Sequence, residues 1–318
     1  MTKRRLTIFY ASDIHGSERV FRKFLNAAPF YKADAVIFGG DITGKALIPV
    51  VQTSPGRFRV ELFGQVHKVE AGTALDEIEE RIRTNGFYPY RTTPDELARM
   101  HQDPDHLKAA FSRVMAETAE RWVTLADERL RAAGIPALMM PGNDDDPALK
   151  RILGQGDWIT DAEGRCVELE GYQVISFGYS TTTPWHSPRE ITEEVMATTI
   201  DELVAQLDPA RPAIFNFHDP PHGSGLDMAP KLTPDLRVES GGGQPLLEPV
   251  GSRSVRAAIE RVQPVLSLHG HIHESRAVAR IGRTLTINPG SVYGEGTLQG
   301  ALITLENGRV VSHQLVSG

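Results

Sequence analysis

The sequence predicts an α/β fold of two packed sheets with helices outside. Three observations carry that prediction. Short apolar runs bounded by turn residues recur along the chain and read as buried strands. Helical periodicity alternates with them over much of its length. After His273 the pattern changes to short strands and turns. Strand-helix units followed by a strand-rich tail must bury one sheet face against another and cover the rest with helices.

Residues 6–11 read as the first strand and 17–27 as a helix with Ser17 as its cap. Residues 35–38 form a second strand. The rhythm then breaks, because the helix expected after that strand does not follow. Residues 57–70 alternate like a hairpin turning near Gly64, 76–84 read as a short charged helix, and 85–91 as an irregular aromatic loop. Residues 45–93 are therefore expected to be an insertion lying over the site, within a single domain spanning 1–318. Residues 94–133 are helical with a break near Asp103-Pro104. Leu107, Phe111, Val114, Thr118, Trp122 and Leu125 define the expected core face, and Gly134 the stop. Further strands are expected at 135–140, 171–178, 212–217, 264–268, 284–287, 301–305 and 310–315. Helices are expected at 199–207 and 252–262, and a Gly/Pro-rich loop at 224–249.

Composition narrows the function classes. Hydrophobic residues make up 40% and charged residues 24% of the 318-residue chain, an ordinary globular balance. The net charge of -7 argues against general binding to nucleic acid or anionic membrane. Cys166 is the one cysteine, so no disulfide can form within the chain, and a small buried hydrophobe is the expected role. No run is long and apolar enough for a bilayer span. Lys3, Arg4 and Arg5 precede a strand rather than a signal peptide's apolar core, so a cytoplasmic, intact chain is expected.

Chemistry concentrates where strands end. Asp13-Ile14-His15 follows the first strand, Gly40-Asp41 the second, Gly142-Asn143 the third, His218 the strand at 212–217, and Gly270-His271-Ile272-His273 the strand at 264–268. Side chains two apart on an extended backbone point the same way. Two paired histidines with carboxylates nearby suggest a metal. Ligands of open α/β sheets collect at the carboxyl ends of strands. Taken singly, each cluster has a plainer reading: a chance Asp-x-His, a turn asparagine, a core histidine. Repetition in the same sense at five strand ends favours a shared site.

These five motifs, in this order, resemble those of the calcineurin-like metallophosphoesterases. The resemblance implies a four-layer αββα sandwich, two mixed β-sheets flanked by helices. It implies two divalent transition-metal ions, one held by Asp13, His15, Asp41 and His273, the other by Asp41, Asn143, His218 and His271, with Asp41 bridging. Mixed oxygen and imidazole donors suit Mn, Fe, Zn, Ni or Co. The implied activity is hydrolysis of a phosphate ester by hydroxide activated between the ions, leaning to a small-molecule or nucleotide phosphodiester. A phosphomonoesterase or protein phosphatase is the alternative, and a non-catalytic scaffold of the same fold is the reading from another class. The expected partner is a small phosphate ester, with neither membrane nor nucleic acid.

One position departs from that pattern. The family carries a histidine after the Gly-Asn asparagine, thought to protonate the leaving group or steady the phosphate. This chain has Asp144, then Asp145 and Asp146. A carboxylate beside cations should stay ionised and make a poor acid. Asp144 is then a turn and capping residue with water as the acid, or another histidine takes the role, or the substrate has a good leaving group and needs no acid. His222 is the candidate catalytic partner and His269 a second. Arg57, Arg59, Tyr88, Tyr90 and Arg91 in the insertion could touch substrate, though a solvated hairpin with packing aromatics is the stronger reading.

Overall fold

Leu6, Ile8 and Tyr10 face one way from the first strand and Phe9 and Ala11 the other, and this alternation organises the molecule. The computed structural model describes residues 5–318, so Lys3 and Arg4 of the N-terminal reading lie outside the described residues. The first six-stranded sheet runs in the order Arg309–Ser317, Gln299–Glu306, Arg5–Ala11, Ala35–Phe38, Ala137–Met139, Ile159–Asp161. Its last four strands are parallel, and Gln299–Glu306 pairs antiparallel to Arg5–Ala11. The second runs Ala277–Ile281, Thr284–Asn288, Leu266–Leu268, Ala213–Phe217, Tyr172–Phe177, Cys166–Leu169, with four parallel strands between antiparallel edges.

Leu6, Ile8, Tyr10, Ala35 and Ile37 of the first sheet meet Val174, Ile214, Leu266, Leu268, Leu285 and Ile287 of the second in a core between the sheets. The outer face of the first packs on helices Glu18–Phe30, Pro104–Ala133 and Ala148–Leu153. The outer face of the second packs on Glu193–Val204 and Arg253–Val262. The layers are thus αββα, as the motif resemblance implies.

Several elements differ from expectation. Tyr88–Thr92 is a strand, not an irregular loop. It pairs parallel with Leu47–Ser54, a strand whose β-branched run Ile48-Pro49-Val50-Val51 the sequence reading passes over. With the hairpin Arg57–Leu62 and Gln65–Glu70 these make a separate four-stranded sheet. Val50, Val60, Leu62, Leu75, Ile78 and Ile82 give it a small core with helix Thr73–Thr84. The helix expected from 199 begins at Glu193, capped by Thr192. On the long helix the buried face is Ala110, Met115, Ala119, Trp122, Ala126 and Leu130, while Leu107 is exposed. Helix Glu18–Phe30 outruns its expected end, and the Ser17 hydroxyl donates to the Thr84 carbonyl instead of capping. Cys166 is half-buried rather than buried, with a free thiol, because it lies on an edge strand.

Candidate metal centre

The loops after Arg5–Ala11 and Ala35–Phe38 knit together through their backbones. Asp13 N donates to Gly40 O at 3.0 Å, Ile14 N and His15 N both donate to Asp41 O at 3.0 Å, and Gly16 N donates to Ile42 O at 2.8 Å. That knitting bends the chain sharply. Asp13, His15, Asp41 and His271 all hold positive φ, from 41° to 67°, conformations costly for residues with a Cβ. Strain on four of the seven expected ligands is what a preorganised site stores. Two glycines are required by close approach. A Cβ on Gly142 would lie 2.2 Å from Asp41 Oδ1, and one on Gly270 2.4 Å from Asp13 Oδ2.

All seven expected ligands meet in one cleft. His15 Nε2 lies 2.9 Å from His273 Nε2 and 3.5 Å from Asp41 Oδ2, and His273 Nε2 lies 3.6 Å from Asp13 Oδ1. Donor atoms of Asp13, His15, Asp41 and His273 sit within 4.8 Å of one another. On the far side of Asp41, His218 Nε2 lies 3.4 Å from Asp41 Oδ2 and 2.9 Å from Asn143 Oδ1. His271 Nδ1 lies 2.8 Å from that same Asn143 oxygen. His218 Nδ1 donates to Gly39 O at 2.7 Å, which fixes its ring and turns Nε2 inward.

The electrostatics fit a cation. Burial opposes charge on Asp13, yet its bond with His273 and the nearby His218 hold its carboxyl at about 2. Against the same burial, His218 and His15 hold Asp41 well below the usual carboxylate range. Burial pushes His271 down to about 4, with His218 adding to it. Burial likewise drives His15 down to about 3, helped by His273 and Lys45, so it is a neutral donor. His218 goes the other way: despite burial, Asp41 and Asp13 raise it to about 10. The proton that the two ionised carboxylates hold on His218 stands where a cation would supply the same charge, and His15 Nδ1 is buried and unpartnered. Donors around one first-row ion at about 2.1 Å sit roughly 3–4 Å apart, which these spacings approach. The Asp/His cluster could therefore hold metal.

The catalytic candidates fall apart spatially. Asp144 is at the cleft mouth. Its Oδ2 lies 2.5 Å from Lys45 Nζ and 3.9 Å from His15 Nδ1, and its Oδ1 accepts from Ser187 Oγ at 2.5 Å. His222 is elsewhere. Its ring lies 3.9 Å from Asp227, and it lines a cavity of about 460 Å³ with Thr181, Glu193 and Arg253. His269 is fully buried with both nitrogens engaged, Nδ1 donating to Phe217 O at 2.9 Å and Nε2 accepting from Ser267 Oγ at 2.8 Å. It supports the site from behind and has no proton to hand to substrate. Arg57, Arg59 and Arg91 pair with Glu70, Glu61 and Glu79, Tyr90 accepts from Arg113, and Tyr88 accepts from Gly44 N.

Sequence reasoning passes over three residues here. Asp145 is buried and accepts from Ile42 N, Thr43 N, Thr43 Oγ1 and Gly142 N at 2.6–3.0 Å, tying the Asp41 and Asn143 loops together. Lys45 closes the run Gly40-Asp41-Ile42-Thr43-Gly44, and the sequence marks only its place at the start of the insertion. Tyr293 packs its ring 4.7 Å from that of His15 and 5.9 Å from that of His273. The run of three aspartates is the available signal for Asp145. Nothing local marks Tyr293.

In the order of its motifs and their convergence, the chain is similar to the calcineurin-like metallophosphoesterases. No family model matches it. It is 28% identical over 155 residues to the uncharacterized protein MJ1162 of Methanocaldococcus jannaschii, a match covering 48% of this chain and 62% of that one. The chain thus spans less than two thirds of that relative's length. Among solved structures it resembles TT1561 of Thermus thermophilus, at 15% identity and a TM-score of 0.53 over 98% of each chain. A second solved chain aligns at 16% identity and a TM-score of 0.56, over 100% of this chain and 99% of the other. At these identities the two structures speak for the fold alone. No helix among the described residues is long and apolar enough to cross a membrane.

Proposed function

We propose that this chain is a metal-dependent phosphoesterase acting on a small-molecule or nucleotide phosphodiester. The observation that carries this is the meeting of all seven motif side chains around Asp41. Asp13, His15, Asp41 and His273 would hold one divalent ion, and Asp41, Asn143, His218 and His271 the other. When bound, such a pair supplies the Lewis acidity and charge neutralisation that in-line hydrolysis of phosphorus esters requires. The chain's own residues do the rest. Asp41 turns Oδ2 toward both His15 and His218, while its Oδ1 accepts from Asp144 N at 2.9 Å, which fixes the carboxylate. The Gly39 carbonyl fixes the His218 ring, and Lys45, Ser187 and Tyr293 line the way in. Water adds to phosphorus, the bond to the leaving oxygen breaks, and solvent is the proton source, since His269 is sealed and His222 lines a cavity that includes none of the seven ligands.

Residues 45–93 are read as a cap. Tyr88 and Thr84 bond to Gly44 and Ser17, beside the ligand loops, so the cap flanks the entrance. A flanked entrance suits a small ester better than a phosphoprotein, whose backbone needs an open groove.

Elemental analysis of the purified protein should find about two transition-metal ions per chain, with turnover of bis(p-nitrophenyl) phosphate. Asp41→Asn should lower both metal content and rate, the rate by at least about 100-fold, since even supporting residues at metal sites cost up to that much. An unchanged rate in Asp41→Asn would overturn the assignment.

A further inference from the structure

The histidine expected after Asn143 is replaced by two oppositely charged side chains rather than by nothing. Asp144 is one-fifth exposed and Lys45 about half exposed, with 2.5 Å between Oδ2 and Nζ. The other Asp144 oxygen is engaged by Ser187 Oγ at 2.5 Å and Asn143 Nδ2 at 3.2 Å. Ser187 is itself fixed, its N–H donating to Glu190 Oε1 at 2.8 Å. Arg189 braces the same loop, with Nη1 donating to Gly142 O at 2.9 Å and an ion pair to Glu163. Asp144 is therefore held in place from both ends. It offsets the charge of Lys45, whose field reaches His15, His273 and Asp41.

We propose that the Asp144–Lys45 pair makes the site selective for singly charged phosphodiesters over doubly charged phosphomonoesters. This rests on the phosphoesterase reading above. A lone cation at the mouth would reward each additional charged phosphate oxygen. A neutral pair does not, and its carboxylate repels an oxyanion turned toward the mouth. A monoester near neutral pH carries about two charges, its second pKa lying at about 6. A diester puts an uncharged ester oxygen in place of one of those oxyanions. Asp144 is the specificity-determining group, and Lys45 positions it while offsetting its charge.

The test compares kcat/KM on bis(p-nitrophenyl) phosphate and on p-nitrophenyl phosphate, for manganese-loaded wild type, Asp144→Asn and Lys45→Met. Asp144→Asn leaves Lys45 unopposed and should shift the ratio toward the monoester by about ten-fold, the effect of one charge at moderate screening. Lys45→Met leaves the carboxylate unopposed and should depress the monoester rate more than the diester rate. Calorimetric titration with inorganic phosphate gives a readout independent of turnover: tighter binding to Asp144→Asn and weaker to Lys45→Met. Unchanged ratio and phosphate affinity in Asp144→Asn, with metal content as in wild type, would overturn the proposal. So would equal losses on both esters in Lys45→Met, should Asp144→Asn not fold. A wild type that hydrolyses neither ester sinks the phosphoesterase reading instead, and the phosphate titration still decides whether the pair screens charge.

Discussion

The two sheets bring different chemistry to the same cleft. The first supplies Asp13, Asp41 and Asn143, with His15 its one imidazole. The second supplies His218, His271 and His273 and no carboxylate among the expected ligands. Across the seam each carboxylate meets an imidazole of the other layer, Asp13 with His273 at 3.6 Å and Asp41 with His218 at 3.4 Å. Neither sheet can make the site alone. The charge that one would bury at a prohibitive cost is offset only when the core between the sheets closes. The supports behind the ligands differ likewise. Asp145, a carboxylate collecting donors, braces the first sheet's loops, and His269, a neutral ring bonding both ways, braces the second's.

Breaking the first support should have the larger consequence. Asp145→Ala strands the backbone N–H groups of Ile42, Thr43 and Gly142, all near the buried cleft floor. At about 1–3 kcal/mol for each unsatisfied donor, a loss of roughly 4 kcal/mol is expected after relaxation. Urea unfolding of wild type and variant measures it, and a loss below about 1 kcal/mol would show that the loops hold without this carboxylate.

That support also shows what a sequence can and cannot reveal. The ligand motifs are legible because each combines two local signals, an apolar run and a polar cluster at its end. The layer order follows from alternation within single strands, as in Leu6 to Ala11. What escapes the sequence depends on distant pairings. Tyr88–Thr92 is a strand because Leu47–Ser54 lies beside it, and its aromatic, proline-containing sequence does not announce that partner. Lys45 matters because the chain returns Asp144 to it, and Asp144 is fixed because Ser187 arrives from another loop. The expected face of the long helix fails at Leu107 because periodicity defines a stripe but not how far toward the helix start the neighbouring layer extends.

The second support makes an opposite kind of prediction, one of pH. Burial pushes His269 down to about 4, against the bonds to the Phe217 and Asp219 carbonyls. In the unfolded chain the ring takes its proton near pH 6.5. Between about 6.5 and 4 the unfolded state therefore binds more protons, so the contribution of this ring to stability is full above that window and is lost as pH falls through it. The size is on the order of 3 kcal/mol at full loss. In metal-free protein, the stability gap between wild type and His269→Gln should narrow as pH drops from 7 to 4.5. A gap that stays constant would mean the ring is solvated or protonated in the fold.

The smallest effect concerns the cap, which the bonds near the cleft tie to the first sheet's side. Tyr88 is buried, and its hydroxyl accepts from Gly44 N at 2.8 Å, one residue before Lys45. Tyr88→Phe keeps the ring against Phe111 and removes only the acceptor, leaving one buried donor without a partner. The expected cost is about 1 kcal/mol. Because the freed amide adjoins Lys45, the change should appear in substrate binding before it appears in chemistry: KM for a diester rising a few-fold, about the equivalent of that energy, with kcat held. If kcat fell while KM stayed fixed, the cap would be acting on the ligand loops themselves, and the division of labour between the sheets would have to include it.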